Sequence, residues 1–289
     1  PRMSEWTIGT ALKEAKKKLK EFSDSVSLDA QLLLAHILGV ERSHVIAFPE
    51  EPITDEQVQA YATLIQRRVN GEPYAYLVEH REFFGRDFIV TPDVLVPRPE
   101  TEHLLEHAIM MVEGFYKNPA DVKAIDIGTG SGIIAISFAL RFPEATIYAT
   151  DMSPKALAVA KRNARLHGVT NIQFMEGSLL EPIRDNDLKI DLILANLPYI
   201  PSKIVDRLPV SKFEPRMALD GGDDGLAYFE DLFPQVREVG IPPTRLFLEV
   251  GSGQSQAVIE LARQHLEVIL TEVIHDYAGH DRVVRLSVK

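Results

Sequence analysis

The chain contains no cysteine. That excludes disulfides, thiolate catalysis and cysteine-based zinc or iron–sulfur sites, and it fits a reducing compartment. Positive charge is also in short supply: 31 Lys and Arg stand against 42 Asp and Glu, a net charge of −11 at pH 7. Attachment to nucleic acid by bulk charge rests on basic side chains neutralising phosphates, so direct sequence-specific nucleic-acid binding is not expected. Long apolar runs are missing. The longest lies around Ile133–Leu140, far short of the ~20 residues that span a bilayer. No apolar signal region opens after Pro1-Arg2-Met3-Ser4-Glu5. The expectation is a cytoplasmic protein with no membrane partner. What is present is ordinary for a soluble globular chain, 45% hydrophobic and 25% charged among 289 residues. That length suggests about two domains at roughly 150 residues each.

The first 75 residues read as helical. Leu12, Ala15, Leu19 and Phe22 are spaced for one face of a helix over Ala11–Phe22. A second helix, Leu28–Leu38, begins after Ser27 and stops at Gly39. A third, Thr54–Val69, opens with Thr54 and Gln57 in capping-box spacing and ends at Asn70-Gly71. Lys13, Lys16, Lys17, Lys18 and Lys20 read as the solvated side of the first helix. The pattern then changes. Glu82-Phe83-Phe84 and Phe88-Ile89-Val90 flank Gly85-Arg86-Asp87 as a hairpin. Val96-Pro97-Arg98-Pro99 is held extended by its prolines, and a helix is predicted over Glu100–Phe115. From there strands alternate with helices, at Lys123–Ile127, Thr146–Thr150, Ile172–Met175, Ile190–Ala195, Thr244–Val250, Leu266–Thr271 and Arg282–Val288. Alternation of this kind builds a mainly parallel sheet covered on both faces. The last two strands have no helix between them and are expected to be antiparallel neighbours. The organisation expected is a helical domain over 1–75, a β-hairpin linker over 76–95 and an α/β domain over 96–289.

Three strand ends carry the chemistry. Asp126-Ile127-Gly128-Thr129-Gly130-Ser131-Gly132 leaves one strand and opens a helix predicted over Ile133–Arg141. Glycines at such a junction allow a tight turn and close approach of a ligand to the backbone. Asp151 ends the next strand, where a carboxylate can accept both hydroxyls of a ribose. Together they point to a nucleoside-bearing cofactor. The spacing departs from the dinucleotide pattern G-x-G-x-x-G, which would place glycine where Ile133 stands. A pyrophosphate needs the free amides of a helix N-terminus. A ligand with an amino-acid moiety needs a partner for its ammonium, which Asp126 can supply, and this tilts the reading toward S-adenosylmethionine. The third strand end is Asn196-Leu197-Pro198-Tyr199. Ligands of open parallel sheets bind beyond the carboxyl ends of the strands, so Asn196 faces the same crevice as Gly128 and Asp151. Its side-chain oxygen and a backbone carbonyl can each accept one hydrogen of a planar –NH2, against which an aromatic ring packs.

These residues resemble class I S-adenosylmethionine-dependent methyltransferases that act on planar nitrogens. Further segments narrow the resemblance: Gly71-Glu72-Pro73 with Tyr76-Leu77; Glu82-Phe83-Phe84-Gly85; Val96-Pro97-Arg98-Pro99-Glu100-Thr101-Glu102; Phe213-Glu214-Pro215; and Asp281-Arg282-Val283-Val284. Over nearly its whole length the chain resembles the release factor glutamine methyltransferases, the HemK/PrmC family. The resemblance implies a Rossmann-like class I methyltransferase domain, with a mainly parallel seven-stranded sheet containing one antiparallel strand. A small N-terminal helical domain and a hairpin linker precede it. The resemblance further implies S-adenosyl-L-methionine as cofactor. The implied reaction is methyl transfer to N5 of the glutamine in the Gly-Gly-Gln loop of peptide chain release factors, a protein methylation that serves translation termination.

Residue by residue, the resemblance implies Asn196 and Tyr199 as catalytic, with Asn196, Leu197, Pro198 and Tyr199 holding the substrate amide. Asp126, Gly128, Thr129, Gly130, Ser131 and Gly132 would hold the methionine end of the cofactor, Asp151 the ribose, and Ser178 and Leu179 the adenine edge, with Asn196 adjoining the cofactor. No metal is implied, because the sulfonium already carries an activated methyl group. All the cofactor motifs lie after residue 120, which leaves substrate recognition to the helical domain. Two positions depart from the family pattern. Leu197 stands where Asn-Pro-Pro-Tyr has its first proline; it keeps the carbonyl but not the locked φ. Ser178 stands where an Asp is usual, which bears on cofactor affinity. His103-Leu104-Leu105-Glu106-His107 fits the H-x-x-E-H pattern. So short a pattern arises by chance in a helix rich in Glu and Leu, and no metal site is assigned there. The alternatives are a ribosomal protein as the glutamine substrate, or a cofactor-binding scaffold without catalysis.

Overall fold

The computed structural model describes residues 6–289, in two compact units, one ending at His80 and the other Arg81–Lys289. The first contains α1 (Ile8–Leu19), α2 (Val26–Leu38), α3 (Arg42–Ala47), α4 (Asp55–Val69) and α5 (Tyr74–Val78). Local signals set their ends. The Thr54 hydroxyl accepts from the Gln57 amide and the Gln57 side chain accepts from the Thr54 amide, the capping box its spacing predicts. Gly39 closes α2 in the left-handed region at φ 67°. α1 starts earlier than its apolar spacing suggests, because Thr7 and Thr10 form a reciprocal cap; α2 is entered from Ser25, not Ser27. The six-residue α3 and five-residue α5 are too short to show a periodicity. Ile8, Leu19, Leu33, Leu34 and Ile65 form the core of the unit, and Leu77 and Val78, placed by sequence in the linker, are buried in it.

The division falls within β1 (His80–Phe83), after its first residue, and β2 (Arg86–Ile89) follows in the second unit. Their turn is the two residues Phe84 and Gly85, both at positive φ (51° and 71°), one residue tighter than the predicted turn. Such primed turns match the twist of paired strands. Phe83 and Phe88 are fully buried, in one core cluster with residues such as Leu104 and Phe138. The buried Asn163 side chain accepts from the Ile89 amide at 2.7 Å and donates to the Ile89 carbonyl at 2.9 Å. The hairpin is therefore built into this unit.

The remaining elements are α6 (Thr101–Phe115), β3 (Lys123–Ile127), α7 (Ile133–Arg141), β4 (Thr146–Asp151), α8 (Pro154–Leu166), β5 (Ile172–Glu176), α9 (Glu181–Asp185), β6 (Ile190–Ala195), α10 (Ser202–Val205), α11 (Ala227–Val239), β7 (Gly240–Glu249), α12 (Ser255–His265), β8 (Val268–His275) and β9 (Asp281–Val288). The seven-stranded sheet runs β5-β4-β3-β6-β7-β9-β8. β9 is antiparallel to both neighbours and the other pairings are parallel. One apolar cluster includes Leu104 and Leu105 of α6 with Phe138 of α7, and another Phe229 and Phe233 of α11 with Val258 of α12. After β3 the chain builds outward through β4 to β5, then returns to add β6 on the other side of β3. The switch point lies between β3 and β6, where ligands of open α/β sheets bind. Ile127 pairs with Thr150 on one side and Ala195 on the other. That register brings Gly128, Asp151 and Asn196 to one carboxyl edge.

Candidate active site

A cleft lies at this edge, enclosing about 950 Å³ when its open mouth is included. Gly128, Thr129, Gly130 and Ser131 line it after β3, Asp151 after β4, and Asn196, Leu197 and Pro198 after β6; Leu179 lines it too. The glycine loop is tied to β4: the Thr129 amide donates to the Thr150 carbonyl at 2.9 Å, and the Gly130 amide to Asp151 Oδ2 at 2.9 Å. Asp151 Oδ1 accepts from the Ser153 amide. A carboxylate has about four acceptor positions, so Asp151 keeps acceptor capacity toward the cleft. Burial raises its pKa, against the pull of these amides.

Asp126, Gly132, Ser178 and Tyr199 are not among the lining residues, and each has another position. Gly132 sits at φ +85°, and a Cβ there would stand 2.8 Å from Ile136 Cδ1 and 3.1 Å from Ala160 Cβ. It is the contact between α7 and α8. Asp126 Oδ2 accepts from the Thr129 hydroxyl at 2.7 Å and the Ala135 amide at 3.2 Å, so this carboxylate braces the glycine loop from behind. Its Oδ1 is buried without a partner, and burial pushes its pKa up to about 7. A buried acceptor without a donor fits a ligand that brings a cation, as the ammonium of an amino-acid moiety does. Ser178 is half-buried beside the lining Gly177 and Leu179.

At the acceptor end, Asn196 Nδ2 donates to Thr101 Oγ1 at 3.2 Å. With Nδ2 so engaged, Oδ1 is left for the cleft that Asn196 lines. The Thr101 hydroxyl donates to Glu249 Oε2 at 2.7 Å, and the Tyr199 hydroxyl to Glu249 Oε1 at 3.2 Å. The Tyr199 hydroxyl is anchored on this carboxylate. Glu249 is 1% exposed; burial pushes its pKa up to about 7, against the pull of the Thr101 and Tyr199 hydrogen bonds. Burial and the neighbouring Glu249 both raise the Tyr199 phenol, so it remains a donor.

The loop after Asn196 is clamped from two sides. Gln254 Nε2 donates to the Tyr199 carbonyl at 3.0 Å. Gly225 packs so closely that a Cβ would stand 2.3 Å from that same oxygen. Leu197, one of the two departures, is buried with Cδ2 3.7 Å from the Cβ position of Gly128. Its side chain thus covers the glycine loop. The proline-rich strap that lines the cleft at Pro97 and Arg98 is pinned by buried Glu214, which accepts from Arg98 Nη2 at 2.5 Å and from the Val96 amide at 3.1 Å.

Thr101, Glu214, Tyr228 and Glu249 were not among the residues assigned from sequence. Thr101 and Glu214 stand inside the family segments quoted above, and Glu249 ends the strand next to that of Asn196, so each left a signal. Tyr228 left none. In α6, His107 Nδ1 contacts the His103 carbonyl at 2.9 Å, and the His103 ring meets Tyr277 edge-on at 5.1 Å. Among the described residues there is no group of three His, Asp or Glu able to hold a metal ion, and no helix is long and apolar enough to cross a membrane.

A family model described as PrmC N-terminal domain matches residues 10–78, and one described as Methyltransferase domain matches residues 119–214. The Release factor glutamine methyltransferase of Moorella thermoacetica is 40% identical over 280 residues, 96% of each chain. That of Geobacter sulfurreducens is 37% identical over 257 residues, 88% of this chain and 87% of its own. Among solved structures, a methyltransferase from Pyrococcus furiosus matches with a TM-score of 0.51 at 17% identity, covering 72% of this chain and 90% of that one, a likeness of fold. With the fold and identity of this level along nearly its whole length, the chain belongs to the release factor glutamine methyltransferases, S-adenosyl-L-methionine-dependent enzymes built on the class I methyltransferase fold.

Proposed function

We propose that this protein methylates N5 of the glutamine in the Gly-Gly-Gln loop of peptide chain release factors, in the cytoplasm, and that its helical N-terminal unit recognises the protein substrate. The observation that carries the reading is Asn196. Its amide nitrogen is held by Thr101, at the end of the strand adjoining the glycine loop. Bound S-adenosyl-L-methionine supplies an activated methyl group on its sulfonium. The chain's own part is to bind and to orient. The Gly128–Ser131 loop and the Asp151 carboxylate surround the cofactor, Leu179 and Ser178 meet the adenine, and the unpaired Oδ1 of Asp126 balances the ammonium. An amide nitrogen is a poor nucleophile, because its lone pair is delocalised into the carbonyl. Asn196 Oδ1 and the Leu197 carbonyl each accept one of its hydrogens, pointing the nitrogen at the methyl carbon and stabilising the positive charge that develops on it.

The test is single-turnover methyl transfer from labelled cofactor to a release factor, with the modified residue mapped. Asn196→Ala is expected to lower the rate about 100- to 1000-fold, the usual cost of one preorganised polar contact, while cofactor affinity by calorimetry holds. Transfer at the parental rate would remove Asn196 from the acceptor site. Label on a ribosomal protein and not on release factors would overturn the substrate.

A further inference from the structure

The reading above requires Asn196 to turn its oxygen, not its –NH2, toward the substrate amide. An asparagine side chain is nearly symmetric in shape, so packing alone does not select between the two orientations; hydrogen bonding must. The selector is Thr101, whose single hydroxyl hydrogen can go only one way. It accepts from Asn196 Nδ2 and gives its own hydrogen to Glu249 Oε2. Tyr199 gives its hydrogen to the other oxygen of the same carboxylate. Glu249 thus accepts from two donors at once, one on each oxygen, bonds that are strongest when the carboxylate is ionised.

We propose that Glu249 is a positioning residue whose negative charge sets the direction of the Glu249–Thr101–Asn196 hydrogen-bond chain, making methyl transfer dependent on its ionisation. The inference rests on Asn196 being the acceptor-orienting group. When a proton occupies Oε2, that oxygen becomes the donor to Thr101. The Thr101 hydroxyl must then donate to Asn196, whose amide turns to offer its oxygen to Thr101 and its –NH2 to the cleft. Two –NH2 groups then face each other, and the substrate amide loses one of its two acceptors, keeping only the Leu197 carbonyl. Tyr199 is undisturbed, because it still donates to Oε1.

The surroundings place this switch near neutral pH. Glu249 is buried, and its ordinary pKa rises to about 7. The groups that act on it besides Thr101 and Tyr199 are Glu100, whose charge raises the pKa, and Arg282 of β9, whose charge lowers it. Asp126 and Asp151 in the cofactor region also have raised pKa values. Their titration is read in cofactor affinity and is removed by saturating cofactor.

The experiment is the pH profile of single-turnover methyl transfer on the full-length protein with saturating cofactor and release factor, from pH 5.5 to 8.5. Wild type is expected to lose rate about ten-fold per pH unit below about 7, as one ionisation predicts. Glu249→Gln keeps an oxygen that can accept from Thr101, while its –NH2 can donate to the Tyr199 hydroxyl. It is expected to retain part of the high-pH rate with a flat profile. Thr101→Val, which breaks the chain, is expected to lose roughly ten-fold at pH 8, about the worth of one hydrogen bond, and also to flatten the profile. Thr101→Ser should restore both rate and pH dependence. A flat wild-type profile, or an acid limb unchanged in Glu249→Gln, overturns the proposal. Asn196→Ala in the same assay separates the two readings. If it transfers at the parental rate, the acceptor assignment itself fails. If it is slow while wild type is flat, only the role of Glu249 fails.

Discussion

Asp126 shows how one side chain at the cofactor end carries opposing demands. Two donors hold Oδ2 while Oδ1 has none, and burial raises the folded-state pKa from the ordinary 3.8 to about 7. The sign of the linkage follows from proton counting. Between about 3.8 and about 7 the folded protein holds a proton that the unfolded chain has released, so this group's contribution is full below the lower value. It is lost as pH rises through the upper one. Asp126→Asn keeps an acceptor for Thr129 and Ala135 and removes the titration. The variant is expected to melt higher than wild type at pH 8, by about 1 kcal/mol or more, roughly 2–4 °C for a unit of this size, with the gain shrinking toward pH 5. Cofactor binding should weaken in the same variant, because the ammonium loses its counter-charge. Melting curves at the two pH values and calorimetry at pH 8 check both parts; a gain independent of pH would mean that the carboxyl is ionised throughout.

At the scale of elements, the junction of β3 with α7 is where backbone geometry and packing meet. Gly132 ends the loop at φ +85°, and a Cβ there would press Ile136 Cδ1 at 2.8 Å and Ala160 Cβ at 3.1 Å. Gly132→Ala therefore adds both a disfavoured backbone conformation and a methyl group in a filled space, together about 2–4 kcal/mol. The strain falls on the contact of α7 with α8, and the amides of Gly130 and Ser131 move with it. Lower thermal stability and weaker cofactor binding are expected together, from thermal melts and calorimetry. Stability unchanged from wild type would show that α8 yields freely. The sheet register works at the same scale: pairing Ile127 with both Thr150 and Ala195 leaves three strand ends level, and three separate motifs become one cleft.

For the whole molecule, the division falls after His80, and the hairpin that follows is part of the core of the second unit. Phe83 and Phe88 are fully buried there, each worth about 1.5–3 kcal/mol of apolar burial, and Asn163 binds Ile89 through both its oxygen and its nitrogen. A fragment beginning at Arg81 is expected to fold and to bind S-adenosyl-L-methionine while methylating release factors poorly. One beginning at Val96 lacks the hairpin and should melt well below it or aggregate. Thermal melts of the two fragments, with calorimetry on the longer, test this. Equal melting temperatures would make the hairpin dispensable, and full activity in the Arg81 fragment would remove substrate recognition from the helical unit.

The features legible in the sequence are those decided by near neighbours. A capping box depends on residues three apart, a left-handed helix end on one glycine, and a strand-to-helix turn on a glycine cluster beside an apolar run. For that reason Thr54, Gly39 and the Asp126–Gly132 loop are legible in the sequence itself. The cleft at the strand ends followed from the direction of parallel strands. The partners of the site residues did not follow, because they are brought together by register and helix packing across long stretches of chain. Asn196 meets Thr101 across 95 positions, and Thr101 meets Glu249 across 148. The same tertiary contacts turned Tyr199 onto Glu249, put Asp126 behind the glycine loop and joined the hairpin to the sheet domain. Local sequence chose the residue types at each strand end; the packing of distant elements decided which way their hydrogen bonds point.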